Sequence, residues 1–370
     1  MLFTFSIFTM LMASTAFATR YIVGVTNPLS DNIEFESVIR YFEIGELFKA
    51  YLMDYSSFPF HLYQDPNIVF VNEDQKVSLT EQHVFEIPKV LLKQMNPVWN
   101  LDRIDQSSGV LDNIYYYPYL AGINVSNFVL DTGIDINHPE FEGRAIWGTN
   151  TADKDNNASN YNPHGTHVAG IIGSKTYGVA KKTKLISVKV LDNSGTGAIS
   201  SIIAGIEWVG SHLQEKNVIN LSLGMNGVVE SLNAAIRAIT SKGVHVVVAA
   251  GNSALEACGT TPASEGSAIA VGSTNKGDTY SKWSNWGPCV AIYAPGANIV
   301  STIPNKQTRS LSGTSMASPH VCGVISLILN YHGNFTPKQM KDYVMQKNTK
   351  NIITNLPARS NNNFLYSLTF

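Results

Sequence analysis

Three residue types with complementary chemistry stand in short, glycine-flanked stretches of this chain. Ser315 lies in Ser312-Gly313-Thr314-Ser315-Met316-Ala317-Ser318-Pro319-His320, at the mouth of an apolar segment, Val321 to Leu329, long enough for a helix. A serine there faces unpaired backbone N–H groups and the positive end of a helix dipole, where an oxyanion is stabilised in acyl transfer. An ordinary capping serine is the other reading. Asp131 ends the apolar run Val125 to Leu130 in Asp131-Thr132-Gly133, at the strand end where open α/β sheets place their sites. His164 and His167 stand three apart in His164-Gly165-Thr166-His167-Val168-Ala169-Gly170. A hydroxyl is a weak nucleophile until a base removes its proton, and the imidazolium so formed needs a buried anion to orient and stabilise it.

Each stretch has a rival reading. Asp-Thr-Gly also occurs in aspartic proteases, but those need a second such carboxylate, and this chain has no second Asp-Thr/Ser-Gly. Two histidines three apart on a helix could ligate zinc, yet no third His, Asp, Glu or Cys follows at ligand spacing. A lipase would want G-x-S-x-G, whereas Ala317 stands two residues after Ser315.

The pattern G-T-S-M-A-S-P-H around Ser315 closely resembles the nucleophile motif of the subtilisin family of serine proteases. The chain order Asp131, His164, Ser315 is also the order of subtilisin. The resemblance covers roughly residues 97 to 335. It is closest to the proteinase K-like branch, through Trp99 to Gln106, Tyr177 to Thr183 and Val188 to Asp192. It implies that Ser315 is the nucleophile, His164 the general base and Asp131 its partner, with His167 structural. It also implies an oxyanion hole made by Asn252, in Ala249-Ala250-Gly251-Asn252, and the Ser315 backbone N–H. Gly195-Thr196-Gly197 and Ser222-Leu223-Gly224 match segments that bind an extended substrate as an added strand. Ala249, Ala250 and Gly251 would line a pocket leaning toward hydrophobic residues before the scissile bond. Some relatives bridge the places of Cys258 and Cys289, which leaves Cys322, where the family usually carries alanine, as a buried thiol. Several bind calcium partly through an aspartate where Ala291 stands here, so no cofactor is expected, and the structural calcium of those relatives is not supported at that position.

The elements that would position these groups alternate. Val125 to Leu130, Leu185 to Leu191, Val218 to Leu223 and Val244 to Ala250 are β-branched-rich runs, and Ile199 to Val209 and Val228 to Ile239 are helix-like, the latter closed by Gly243. Such alternation predicts an α/β fold: a mainly parallel sheet between two helix layers, as the resemblance also implies. Thr336-Pro337 predicts the start of a last surface helix.

Residues 19–88 read as a separate α+β unit. Tyr21 to Val25 and Asn67 to Val71 are strand candidates, and Ile33 to Met53 carries helix-period apolar residues. Placed before an enzyme domain, it looks like the ferredoxin-like inhibitor propeptide of secreted subtilisins. Pro88 and Pro97 then break regular structure before Trp99, and processing is expected between Val77 and Lys93. Met1 to Ala18 is an apolar run ending Ala16-Phe17-Ala18, which fits signal-peptide cleavage and is shorter than the ~20 residues of a spanning helix. This gives a signal peptide (1–18), a propeptide (19–88) and a peptidase domain (89–370).

The chain has 370 residues, 44% hydrophobic and 15% charged, which is a globular composition. With 26 basic and 28 acidic residues the net charge is −2, so nothing pulls it toward nucleic acid. Asn-x-Ser/Thr acceptors occur at Asn124, Asn157, Asn220 and Asn334, of which Asn220 falls in a predicted buried strand. The expectation is a secreted, extracellular or cell-surface serine endopeptidase acting on proteins or peptides, made as a self-processed zymogen held by its own propeptide and free of the membrane once the signal is removed. The competing class is a catalytically silent relative that binds peptides or inhibits other proteases.

Overall fold

Alternation of apolar residues along Tyr21, Val23 and Val25 gives one strand a single buried face, and a small sheet forms on it. The computed structural model describes residues 19–26, 38–44, 48–55, 62, 65–74, 90–153 and 162–368. The chain divides into two compact units, Met1–Phe85 and Glu86–Phe370. In the first, β1 (Thr19–Val25), β2 (Val38–Ile44), β3 (Phe48–Tyr55) and β4 (Ile68–Glu73) form an antiparallel sheet in the order β2-β3-β1-β4. That is the sheet order of a ferredoxin-like β-α-β-β-α-β chain. Over the described part of Ile33 to Met53 there is strand and not the expected helix: residues 38–44 and 48–53 are strand, and 33–37 and 45–47 lie outside the described residues. Its aromatic and β-branched residues suit a pleated surface, and pairing with β1 buries Met53 completely in one cluster with Tyr21, Val23 and Val25. The expected signal segment 1–18 also lies outside the described residues.

The second unit begins with β5 (Leu91–Met95), α1 (Trp99–Ile104) and β6 (Ile114–Pro118). β5 pairs antiparallel with β6 along all five residues, so regular structure returns before Trp99, contrary to expectation. Then follow β7 (Val125–Asp131), β8 (Ala145–Asn150), α2 (Pro163–Gly173), β9 (Lys184–Lys189), α3 (Ile199–Ser211), β10 (Lys216–Leu221), β11 (Met225–Asn226), α4 (Glu230–Ser241) and β12 (His245–Ala249). The chain continues through β13 (Thr260–Thr261), β14 (Ile269–Thr274), β15 (Ile292–Pro295), the hairpin β16 (Ile299–Ile303) and β17 (Gln307–Leu311), α5 (Thr314–His332), α6 (Pro337–Gln346), β18 (Thr349–Lys350) and β19 (Asn363–Phe364). The main sheet runs β18-β19-β15-β14-β12-β10-β7-β9-β8, parallel except where β18 meets β19. Helices α2 and α5 pack together on one side of it, and α3 and α4 pair on the other. This is the three-layer α/β/α arrangement, and β7 is buried at every residue because both its faces are covered.

Chain order reverses around β7. The chain leaves it for the β8 edge, returns to β9 beside it, and crosses to β10 on its other side. The end of β7 is therefore a topological switch point, where a crevice opens beyond the strand ends. Helix α5 is longer than the apolar run that announced it, and Ser315 sits inside its first turn. Thr336 caps α6 in a reciprocal capping box with Gln339.

One buried ion pair closes the second unit. Arg103 of α1 meets Asp278 through Nε–Oδ1 (2.7 Å) and a second bond to Oδ2 (3.1 Å), and its guanidinium lies 4.1 Å from the centre of the Phe364 ring. Asp278→Asn keeps a residue at home in the left-handed conformation (φ 57°) but strands the Arg103 charge. It is expected to destabilise the fold by about 3–5 kcal/mol in denaturant unfolding, read in a Ser315→Ala background to avoid self-digestion. Unfolding indistinguishable from the parent would contradict this.

Candidate active site

Asp131, the last residue of β7, has no solvent exposure. Its carboxylate accepts from the Thr132 N–H at 2.7 Å and, through both oxygens, from His164 Nδ1 at 2.8 and 2.9 Å. His164 lies in the first turn of α2, which Asn162 caps by accepting from the His164 N–H at 3.0 Å. A Cβ on Gly165 would stand 2.2 Å from the Gly133 carbonyl oxygen, so only glycine lets α2 come this close to the end of β7. Thr132 secures the approach by accepting from the Gly165 N–H at 3.0 Å.

The two histidines part ways here. Burial alone would lower the His164 pKa, but the Asp131 charge and hydrogen bond outweigh it, and the net shift is upward. The Asp131 contact fixes the proton of neutral His164 on Nδ1 and leaves Nε2 able to accept. His167 is fully buried, offers Nε2 to the carbonyls of Ile299 and Arg309 at 3.0 and 2.9 Å, and is pushed down to about 4, burial being the main cause. Burial thus favours its neutral ring, bonded to the β16–β17 hairpin. Among the described residues no cluster of three or more His, Cys, Asp or Glu could hold a metal. Ala291 is a buried methyl group without an oxygen ligand on its side chain.

Ser315 donates its hydroxyl to the Ser222 carbonyl at 3.2 Å. Ser222 and His164 both line a cavity of ≈ 450 Å³, whose walls include Gly195, Thr196, Gly197, Leu223 and Gly224, with Leu191, Ile199, Ile202, Met225 and Leu232 supplying apolar surface. A second cavity of ≈ 130 Å³ shares Leu223, Gly224, Met225 and Thr261 with the first and is lined further by Ala249, Ala250, Gly251, Asn252, Thr314 and Ser315. The substrate segments named from the sequence thus come together around one crevice. Its apolar residues on α3 and α4, its capping Asn162 and its orienting Thr314 were missed. Asn162-Pro163 carried a legible helix-start signal; the others depend on which helix face meets the crevice.

Asn252 follows β12 through Gly251, whose φ of +106° is a glycine conformation and whose missing Cβ makes room for the Asn285 amide. Its Oδ1 accepts from both the N–H and the hydroxyl of Thr314, each at 2.9 Å. The amide is thereby oriented, with Nδ2 3.4 Å from where a Cβ on Gly313, the N-cap of α5, would stand. Cys258 and Cys289 are bridged, with Cα atoms 5.2 Å apart, just before the Thr260-Thr261 wall of the smaller cavity, and Cys322 is a buried free thiol. Asn220 is fully buried with its Nδ2 bonded to the Ser222 hydroxyl, so that acceptor is closed, whereas Asn124 and Asn334 are exposed and Asn157 lies outside the described residues.

A sequence profile of the subtilase family matches residues 122–366. Alkaline serine exoprotease A of Vibrio alginolyticus is 40% identical over 308 residues, which make up 83% of this chain and 56% of that protein. Subtilisin-like protease 3 of Saccharomyces cerevisiae is 36% identical over 368 residues, 93% of this chain and 75% of its own length. Among solved structures, a cold adapted subtilisin-like serine proteinase superposes with a TM-score of 0.72 at 41% identity, covering 74% of this chain and 99% of its own. The chain thus spans little more than half of the Vibrio protein.

The Asp131–His164 contact makes a prediction that depends on no function. By NMR titration of Ser315→Ala protein, His164 should titrate above the ordinary value of about 6.5. In Asp131→Asn only the burial effect remains, and the pKa should fall below that value. An unchanged pKa in the variant would show that Asp131 does not carry the shift.

Proposed function

Because the chain belongs to the subtilase family of subtilisin-like serine proteases, we propose that it is a secreted serine endopeptidase whose triad is Asp131, His164 and Ser315. The observation that carries this is the Asp131–His164 pair at 2.8 Å, in a crevice that also holds the Ser315 hydroxyl on the Ser222 carbonyl. On substrate binding the hydroxyl turns from Ser222 toward His164 Nε2, and the freed carbonyl can accept from the substrate backbone. Ser315 Oγ then attacks the scissile carbonyl as its proton passes to His164, and the imidazolium is held by Asp131. The oxyanion is met by Asn252 Nδ2 and the Ser315 N–H. His164 next gives its proton to the leaving amine, and water cleaves the acyl-enzyme by the reverse path. Substrates are proteins or peptides, laid as a strand along Gly195-Thr196-Gly197 and Ser222-Leu223-Gly224.

The first unit is read as the propeptide, cut from the catalytic unit by Ser315 of its own chain, since tethering raises the effective concentration of the bond. Leu91 to Met95 are already paired with Ile114 to Pro118, which argues against cleavage inside that strand. The processing window therefore narrows to Val77–Val90. Secretion is supported by the leader-like run at residues 1–18 and by the Cys258–Cys289 bridge, which suits an oxidising compartment. No helix among the described residues is long and apolar enough to cross a membrane.

Asn252→Ala should lower kcat by ~10²–10³ with little change in KM, a magnitude taken from subtilisin itself. A fall confined to KM would mean that this amide binds substrate rather than the oxyanion. Ser315→Ala should lose labelling by a fluorophosphonate and, expressed without other proteases, accumulate as one chain that still carries residues 19–90. Normal processing of that variant would assign the cut to an outside protease, and a processed wild type that no fluorophosphonate labels would favour the silent, peptide-binding reading.

A further inference from the structure

Ser315, Ser318 and Cys322 recur at spacings of three and four, so they share one stripe of α5, and that stripe faces the end of β10. Pro319 sits four residues after Ser315 and has no N–H, so it cannot donate the helical bond to the Ser315 carbonyl. The Ser222 hydroxyl does so instead, at 2.9 Å, while the Ser222 carbonyl accepts the Ser315 hydroxyl at 3.2 Å. The two serines are thus clamped reciprocally. The clamp has one ambiguity, because the Ser222 hydroxyl also lies 3.0 Å from Ser318 Oγ and can turn toward it.

Asn220 limits that freedom. Its Nδ2 donates to Ser222 Oγ at 2.8 Å, occupying a lone pair and restricting where the hydroxyl proton can point. Asn220 is fully buried, and its Oδ1 accepts from Cys322 Sγ at 3.5 Å. Burial pushes the Cys322 thiol well above its usual range, so it stays protonated and acts as a donor. We propose that Cys322 is a positioning residue for the nucleophile: its S–H sets the Asn220 amide, which aims the Ser222 hydroxyl at the Ser315 carbonyl and so fixes the first turn of α5. Removing the thiol lets the amide flip and the Ser222 hydroxyl swing to Ser318. The Ser315 carbonyl then loses its donor, and both Oγ and the oxyanion-binding N–H of Ser315 are less well placed.

This rests on Ser315 being the nucleophile, so wild-type protein is first titrated with a fluorophosphonate. An absence of titratable serine overturns both readings together. With titrated protein and a peptide substrate, kcat and KM are then compared for Cys322→Ala and Cys322→Ser, well below the unfolding temperature of each. Cys322→Ala should lose roughly three- to tenfold in kcat with KM changed by less than about twofold, the scale of one weak hydrogen bond and a misaimed amide. Cys322→Ser keeps a donor and should stay within about twofold of wild type. Adding Cys322→Ala to Ser222→Ala should cost nothing further, because both act through one chain of bonds. Undiminished kcat in Cys322→Ala, a serine variant as impaired as alanine, or additive losses in the double variant would each overturn the proposal while leaving the peptidase reading intact. Should Cys322→Ala give no titratable protein, Cys322→Ser alone decides: near wild-type kcat supports the proposal, and a loss of about tenfold overturns it.

Discussion

A carboxylate with no solvent exposure at the end of the central strand is the constraint on which the rest of the crevice depends. Removing a charge from water is costly unless hydrogen bonds and an opposing group replace the solvent. Asp131 finds them in the Thr132 N–H and His164 Nδ1, and reaching His164 dictates where α2 must lie. Gly165 is needed because any side chain would strike the Gly133 carbonyl, and Thr132 then ties the two segments together. A pair of side chains thus sets the docking of a whole helix.

The opposite wall of the crevice is built by interrupting regular structure. Gly251 turns the chain out of β12 in a conformation closed to most residues, which brings the Asn252 amide against Thr314. Pro319 breaks the hydrogen-bond ladder of α5 within its second turn, which frees the Ser315 carbonyl to accept a bond from Ser222, just beyond β10. Two residues unfavourable in regular elements therefore create the backbone positions at which Ser315 and Asn252 stand. Local conflict of this kind belongs at functional sites, where fold-wide consistency is relaxed.

The small N-terminal unit teaches the reverse. Helix-period apolar residues over 33–53 coincide with aromatic and β-branched residues that suit a strand, and periodicity alone does not separate the two. Pairing with β1 separates them, since Met53 then joins Tyr21, Val23 and Val25 in one buried cluster. β5 was invisible for a related reason: Leu91 to Met95 is short, half-exposed and follows a proline, and it becomes a strand through its pairing with β6.

The sequence alone determined which side chains to look for, because a serine, a histidine and an aspartate that could work together are few and sit in motifs with local backbone signals. Asp131 at a strand end, His164 in its glycine-flanked motif and Ser315 before an apolar helix were legible for that reason, as was the alternation that specifies a covered parallel sheet. Only the tertiary structure decided which apolar residues of α3 and α4 face the crevice, which atom of the Asn252 amide is held by Thr314, and that the Cys322 thiol reaches Ser222 through Asn220. These are relations between residues far apart in the chain. They arise from the register of packed elements, and a helix turned by one residue would present other side chains to the same strand ends.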